Sequence, residues 1–338
     1  MDLLINAYCT LRQPPALTFP HKLLGSRDRT DPEIASHLEG FIGYAINAAG
    51  GQMTQTAYYV MRHIQRVQRQ FSFEVVDRDL DAVSQWAWQA NAILFLPNGT
   101  ICDPSGRHLL PNTQETARVP YPADAQERKT RTEAHLSGLG IYVTPTLPPV
   151  ISDLEVDLRT GSDVARRCLA LFGVAVRGES LGAGKPIPGD EIRERLSLAN
   201  STFSPTEQEF LNNPAPAEQD AVTFSWRYEA LYLLEWALGL TSELPLPTQI
   251  CDVRLTARLA LDNNSREFID GARLRPTGEI LNALDLHYRL QWAIHQARAD
   301  NREAPAPLLP GVVQERYHAL NWLVRFEQAE WDDVDTPA

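Results

Sequence analysis

The spacing of apolar residues changes once along this chain, and a proline-rich stretch marks the change. Before residue 110, strand-like and helix-like windows alternate. After about residue 160, helix-like windows follow one another with no strand between them. A strand needs a lateral partner, whereas an amphipathic helix needs one apolar neighbour. The expected class is α+β: a small ferredoxin-like α/β sandwich over 1–110, a Pro-rich connection with one short helix (123–136) over 111–158, and an all-helical domain over 159–338. At 338 residues such a chain buries about three quarters of its unfolded surface, enough for ordinary cores without disulfides or metal staples.

The first region carries the clearer local signals. Leu3 to Leu11 reads as a strand. Ile42, Tyr44 and Ile46 alternate with Gly43 and Ala45, the period of a half-buried strand. Met53, Ala57, Val60, Ile64 and Val67 step by 4, 3, 4 and 3, which predicts a helix over 53–68. Phe71 to Val76 is a further strand and 79–91 a further helix. Ala92 to Leu96 and Thr100 to Cys102 flank Asn98-Gly99, the pair that suits a type I′ hairpin, and Asp103-Pro104-Ser105-Gly106 is a second turn. The order β, β, α, β, α, β, β predicts helices on one face of one sheet.

Later, Ser162 is placed to cap a helix reaching Gly178. Ser204-Pro205-Thr206-Glu207 is a capping box with proline at the first helical position. Further helices are expected over 221–238 (stopped by Gly239), 248–261, 264–271, 277–300 and 312–326. Five of the seven tryptophans lie between 226 and 331, which implies a substantial helix-on-helix core.

Charge narrows the partners. Residues 1–150 hold 13 basic and 14 acidic side chains, and residues 151–338 hold 18 and 29, a net −11 in the second part. Such a chain repels phosphate backbones, so nucleic acid is not an expected partner. No stretch approaches a membrane span, and the opening residues, with no basic segment and no long apolar run, lead us to expect no secretory leader. Cysteines at 9, 102, 168 and 251 are too far apart for a metal pair, so free thiols in a cytoplasmic protein are expected, with no metal or cofactor. Only three of the 31 basic residues are lysine, which codon usage explains more simply than selection for anion binding.

Several motifs fail on context. Gly178-Glu179-Ser180-Leu181-Gly182 has the GxSxG pattern, but a nucleophile elbow needs a strand before it and a helix after it. Gly184-Lys185 lacks the rest of a phosphate loop. Arg62, Arg66 and Arg69 read as a solvated stripe, and Asp332, Asp333 and Asp335 as a frayed acidic tail.

Winding the last helices at about 100° per residue isolates the informative residues. Glu315 and Arg316 fall within the apolar arc of 312–326, while Gln314, His318, Asn321 and Arg325 mark its solvent face. Arg227 lies among Leu231, Leu234 and Leu238, and Glu229 near Leu233 and Trp236. Neither has an opposite charge at i+3 or i+4. Unpaired buried charge costs several kcal/mol, so Arg227, Glu229, Glu315 and Arg316 are expected to meet as one inter-helix network, with His287 and His295 nearby. A satisfied ion-pair cluster that fixes helix register is preferred over a polar ligand pocket. His287 and His295 are eight residues apart with no carboxylate between them to complete a metal set.

The same residues carry a resemblance. Phe224-Ser225-Trp226-Arg227-Tyr228-Glu229, Leu284-Asp285-Leu286-His287-Tyr288-Arg289, Val313-Gln314-Glu315-Arg316-Tyr317-His318 and Trp331-Asp332-Asp333 occur in order, and the chain over about 160–335 resembles the domain of unknown function 4272 family. The resemblance implies a bacterial cytoplasmic protein and supplies no activity. Three readings of function follow. The first is a non-enzymatic interaction protein whose acidic helical domain meets a basic protein partner, an immunity protein being one case. The second is an enzyme acting on a small anionic substrate, with Glu229 or Glu315 as acid/base and Arg227 or Arg316 as clamp. The third is a helical scaffold or oligomerisation module.

Overall fold

A computed structural model describes residues 2–111 and 117–338. Positions 112–116 of the expected connection lie outside the described residues. The chain divides into two compact units, 1–129 with 148–156, and 130–147 with 157–338. The expected connection 111–158 thus contributes to both units.

The first unit is built on a six-stranded sheet of order β2-β3-β1-β4-β5-β6, antiparallel at every pairing. Its strands are β1 (Asp2–Cys9), β2 (Lys22–Asp28), β3 (Arg69–Val76), β4 (Ala92–Phe95), β5 (Ile101–Cys102) and β6 (His108–Leu110). Alternation along the central β1 decides which side chain faces which way. Ile5, Ala7 and Cys9 join Phe73, Leu94 and Trp86 in one core, with helix α3 (Leu80–Gln89). Tyr8, Ile93 and Ile101 join Leu38, Phe41, Val60 and Ile64 in the other, with helices α1 (Ile34–Ala48) and α2 (Gln55–Arg66). Helices therefore cover both faces, not the single face that the ferredoxin-like expectation carried.

Three local expectations change for identifiable reasons. The strand expected at 42–46 is the end of α1. Its buried residues are Ile34, Leu38, Phe41 and Ala45, a 4-3-4 helical stripe, and a five-residue alternation is too short to outweigh it. In the β4–β5 hairpin, Gly99 alone takes a left-handed φ of 84°. Pro97 holds its own φ negative, so the turn closes by Gly99 N–H donating to Leu96 O at 2.9 Å and is not type I′. Arg66 does not face solvent: its guanidinium donates to both oxygens of the buried Glu155 at 2.9 Å and lies 4.5 Å from the Tyr121 ring centroid.

The second unit is helical. Helix α4 (Ala123–Gly138) passes from the first unit into it between residues 129 and 130. Leu136 and Ile141 pack with Leu290, Ile294 and Val313. Helix α5 (Gly161–Gly182) is apolar around most of its circumference and buried accordingly. Its cap is Thr160, in a capping box with Asp163, rather than Ser162. Around it stand α6 (Gly189–Arg195), α7 (Pro205–Asn212), α8 (Glu218–Ser225), α9 (Arg227–Ala237), α10 (Val253–Asp262) and α11 (Arg266–Gly271), then α12 (Thr277–Ala299) and α13 (Pro310–Leu323). The capping box at Ser204 holds as expected. The single helix expected over 221–238 is two, broken at Trp226.

Arginine has a structural use here. Arg159 Nε donates to Trp322 O at 3.0 Å, Arg177 Nη1 to Phe210 O at 2.7 Å, and Arg275 Nε to Trp236 O at 2.6 Å. Each planar fork satisfies carbonyls at the C-terminal end of a helix, a task for which a lysine point donor is less suited.

Candidate functional site

Helix α9 is buried on nearly every side, so the charges in its first turn have little water to face. They face α13. Arg227 Nη1 donates to both carboxylate oxygens of Glu315 at 2.8 Å. Arg316 donates to Glu229 Oε2 from Nε at 3.1 Å and from Nη2 at 3.0 Å. The other oxygen, Glu229 Oε1, accepts the Cys251 N–H at 2.5 Å, and Arg316 Nη1 donates to Pro245 O at 2.8 Å. The four side chains thus meet as two adjacent pairs. The inner pair is sealed, at 1% exposure for Arg316 and 3% for Glu229, whereas the outer pair is partly open to solvent, at 21% for Arg227 and 13% for Glu315. Burial pushes the Glu315 carboxyl above its ordinary pKa, Arg227 works against the rise, and Glu229 adds to it.

The two histidines separate. His287 is buried near this network. Its Nδ1 lies 2.8 Å from Ala283 O, and its Nε2 has no hydrogen-bond partner among the described residues. Burial and then the Arg316 charge push its pKa down to about 4, so it is neutral at pH 7. His295 is exposed and belongs to a different polar line, 3.0 Å from Gln291, which also contacts Gln314. Two helical turns separate it from His287, and it does not join the Arg/Glu pairs.

Helical winding missed His318. Placed on a solvent face by periodicity, it is covered by the tail: its ring meets Trp331 edge-on at 4.7 Å between centroids. Burial first, then Arg227, push its pKa down to about 4. The tail is held, not frayed. Asp332 Oδ2 accepts from Thr206 N–H at 2.9 Å and from its hydroxyl at 2.8 Å, at the start of α7. Arg167, paired with Glu207, lies 4.5 Å from the Trp331 ring centroid. Another buried acid, Glu235, stands apart from the network. Neither of its carboxyl oxygens has a hydrogen-bond partner among the described residues, and burial pushes its pKa to about 9.

Beside the inner pair lies a cavity of about 520 Å³, bounded by the end of α5, by α8, by the start of α9 and by the segment 250–253. Its position follows from Gly178. A Cβ there would come within 2.6 Å of Ala221 O and 2.9 Å of Ser225 N, so α5 and α8 cross in contact at this glycine. The GxSxG pattern is thus a helix crossing within α5 and not an elbow. The cavity walls are mainly apolar, with Val222, Trp226, Ile250 and Val253 among them, and Glu179, Glu218 and Glu229 also line it. Among the described residues, no basic side chain does. Tyr228 OH donates to Glu179 Oε2 at 2.9 Å, and burial followed by that carboxylate pushes the phenol pKa up. Burial, reinforced by Glu229, pushes the Cys251 thiol up to about 12, which leaves it protonated and a poor nucleophile. Of these lining residues, sequence periodicity singled out Glu229 alone.

Among the described residues, no group of three or more His, Cys, Asp or Glu is arranged to hold a metal ion, and no helix is long and apolar enough to cross a membrane. Searches of curated proteins and of solved structures returned no match. Residues 128–334 match a sequence family whose boundary falls close to the start of the helical unit at 130. This is earlier than the 160 expected, because the end of α4 packs with α12 and α13. The match covers well over half of the chain, which belongs to the family described as Domain of unknown function (DUF4272).

Proposed function

We propose that this protein is a non-enzymatic binding module of the bacterial cytoplasm, whose helical unit takes a basic protein partner. An immunity-like protein is one case. One observation carries the reading: an open cavity with apolar walls, three carboxylates and, among the described residues, no basic side chain lies in the acidic half of the chain. Carboxylates around an apolar depression favour a cationic partner and exclude acidic ones. The enzyme reading draws less support, because Arg227 pairs with Glu315 and Arg316 with Glu229. The test is retention from native lysate at low salt. A stoichiometric basic protein should be held by the intact chain, be released at about 0.5 M salt as screening shortens the Debye length, and be lost on the double substitution Glu179→Gln, Glu218→Gln. Retention of nothing, or equal retention by that variant, overturns the reading.

A further inference from the structure

Resting on that reading, we infer that the cavity receives an arginine side chain of the partner together with an apolar residue beside it. Size comes first. At about 520 Å³ the cavity has the dimensions of a ligand site, which run from about 300 to 1,000 Å³, and exceeds what one side chain fills. A short loop or terminus of two or three residues fits better than a single inserted group.

The rim supplies the apolar half. Val222, Trp226 and Ile250 line the cavity and are 46%, 37% and 58% exposed, so three large apolar side chains meet water around one opening. Clusters of that kind mark contact sites more often than lone exposed residues do. An aliphatic neighbour of the arginine, and the methylenes of its stem, would cover them.

The polar half selects the cation. Glu179 and Glu218 are both exposed at the cavity, and Glu179 already accepts one hydrogen bond from Tyr228, which leaves its second oxygen for another donor. Glu229, by contrast, has both oxygens engaged within the wall. Guanidinium suits this setting better than ammonium. It forks onto carboxylates, stacks flat on an indole such as Trp226, and loses less hydration on entering an apolar cleft.

The experiment uses the full chain and two capped synthetic pentapeptides, Ala-Leu-Arg-Leu-Ala and its counterpart with neutral citrulline in place of arginine. The readout is the methyl NMR signal of Ile250, with Val222 as a second reporter. Saturable shifts are expected with the arginine peptide, and at least tenfold weaker binding with citrulline. The double substitution Glu179→Gln, Glu218→Gln should weaken the arginine peptide about tenfold, the factor that about 1.4 kcal/mol represents, and leave the citrulline peptide unchanged. Equal binding of both peptides overturns the inference, as does an unmoved Ile250 signal with either peptide at about 5 mM, a concentration that detects even millimolar affinity. The unmodified chain decides the question even if the double variant fails to fold. Retention of a basic protein from lysate with neither peptide moving Ile250 sinks this inference and leaves the general reading intact. Absence of any retained partner sinks the general reading whatever the peptides do.

Discussion

Glu229 divides its carboxylate between Arg316 of α13 and the backbone N–H of Cys251, so one side chain ties α9 to both the facing helix and the segment that walls the cavity. Removing either charge strands the other away from water. Arg316→Met and Glu229→Gln should each cost about 3–5 kcal/mol in denaturant unfolding, the range for breaking a buried pair by one partner. The double variant Glu229→Gln, Arg316→Met removes both charges and keeps an acceptor for Cys251. It should lose less than the sum of the two single variants by at least about 1 kcal/mol. Strict additivity would show that the pair is not a coupled unit.

Acid should destabilise the protein through its buried histidines. Folding lowers the pKa of His63 from 6.5 to about 3, and of His287 and His318 from 6.5 to about 4. A depressed histidine contributes stability above its unfolded value, and that contribution is lost as pH falls towards the folded value. Below about pH 6.5 each such group should remove up to about 1.4 kcal/mol per pH unit. His287→Asn keeps a donor for Ala283 O and removes the titration, so the acid limb of stability against pH should become shallower by up to one proton. An unchanged slope would refute the assignment for His287.

Glu235 works at the other end of the scale. Its pKa rises from 4.5 to about 9, so the folded state keeps a proton that the unfolded state releases. Its contribution is full below about pH 4.5 and declines as pH rises towards 9. Glu235→Met replaces an unpartnered buried carboxyl with an apolar chain of similar length. It should raise stability at pH 8 by at least about 1 kcal/mol and flatten the decline between pH 5 and 9. Thermal unfolding across that range checks both expectations, and a loss of stability at pH 8 would contradict them.

The crossing of α5 and α8 leaves no room at Gly178. Gly178→Ala places a methyl group against backbone atoms of Ala221 and Ser225, which cannot swing aside as a side chain would. The expected cost is about 1–3 kcal/mol from overpacking, with a change in the near-ultraviolet signal of Trp226 as α8 shifts. Gly182→Ala meets no heavy atom within 4 Å and serves as the control that should stay within about 0.5 kcal/mol.

The sequence by itself determined the change from mixed to helical structure, most helix positions in the second unit, and the meeting of Arg227, Glu229, Glu315 and Arg316. Those follow from local periodicity and from the cost of stranding charge, both properties of neighbouring residues. It misread 42–46, because a five-residue window cannot separate two periods, and it missed β2, an edge strand whose side chains are mostly exposed and show no buried alternation. Only the tertiary structure decided that His318 is covered, that Asp332 anchors the tail to α7, and that Glu179, Glu218, Trp226 and Cys251 share one cavity with Glu229. These residues come from segments up to 126 positions apart in the chain. What brings them together is the packing of helix against helix, which no periodicity within one helix encodes.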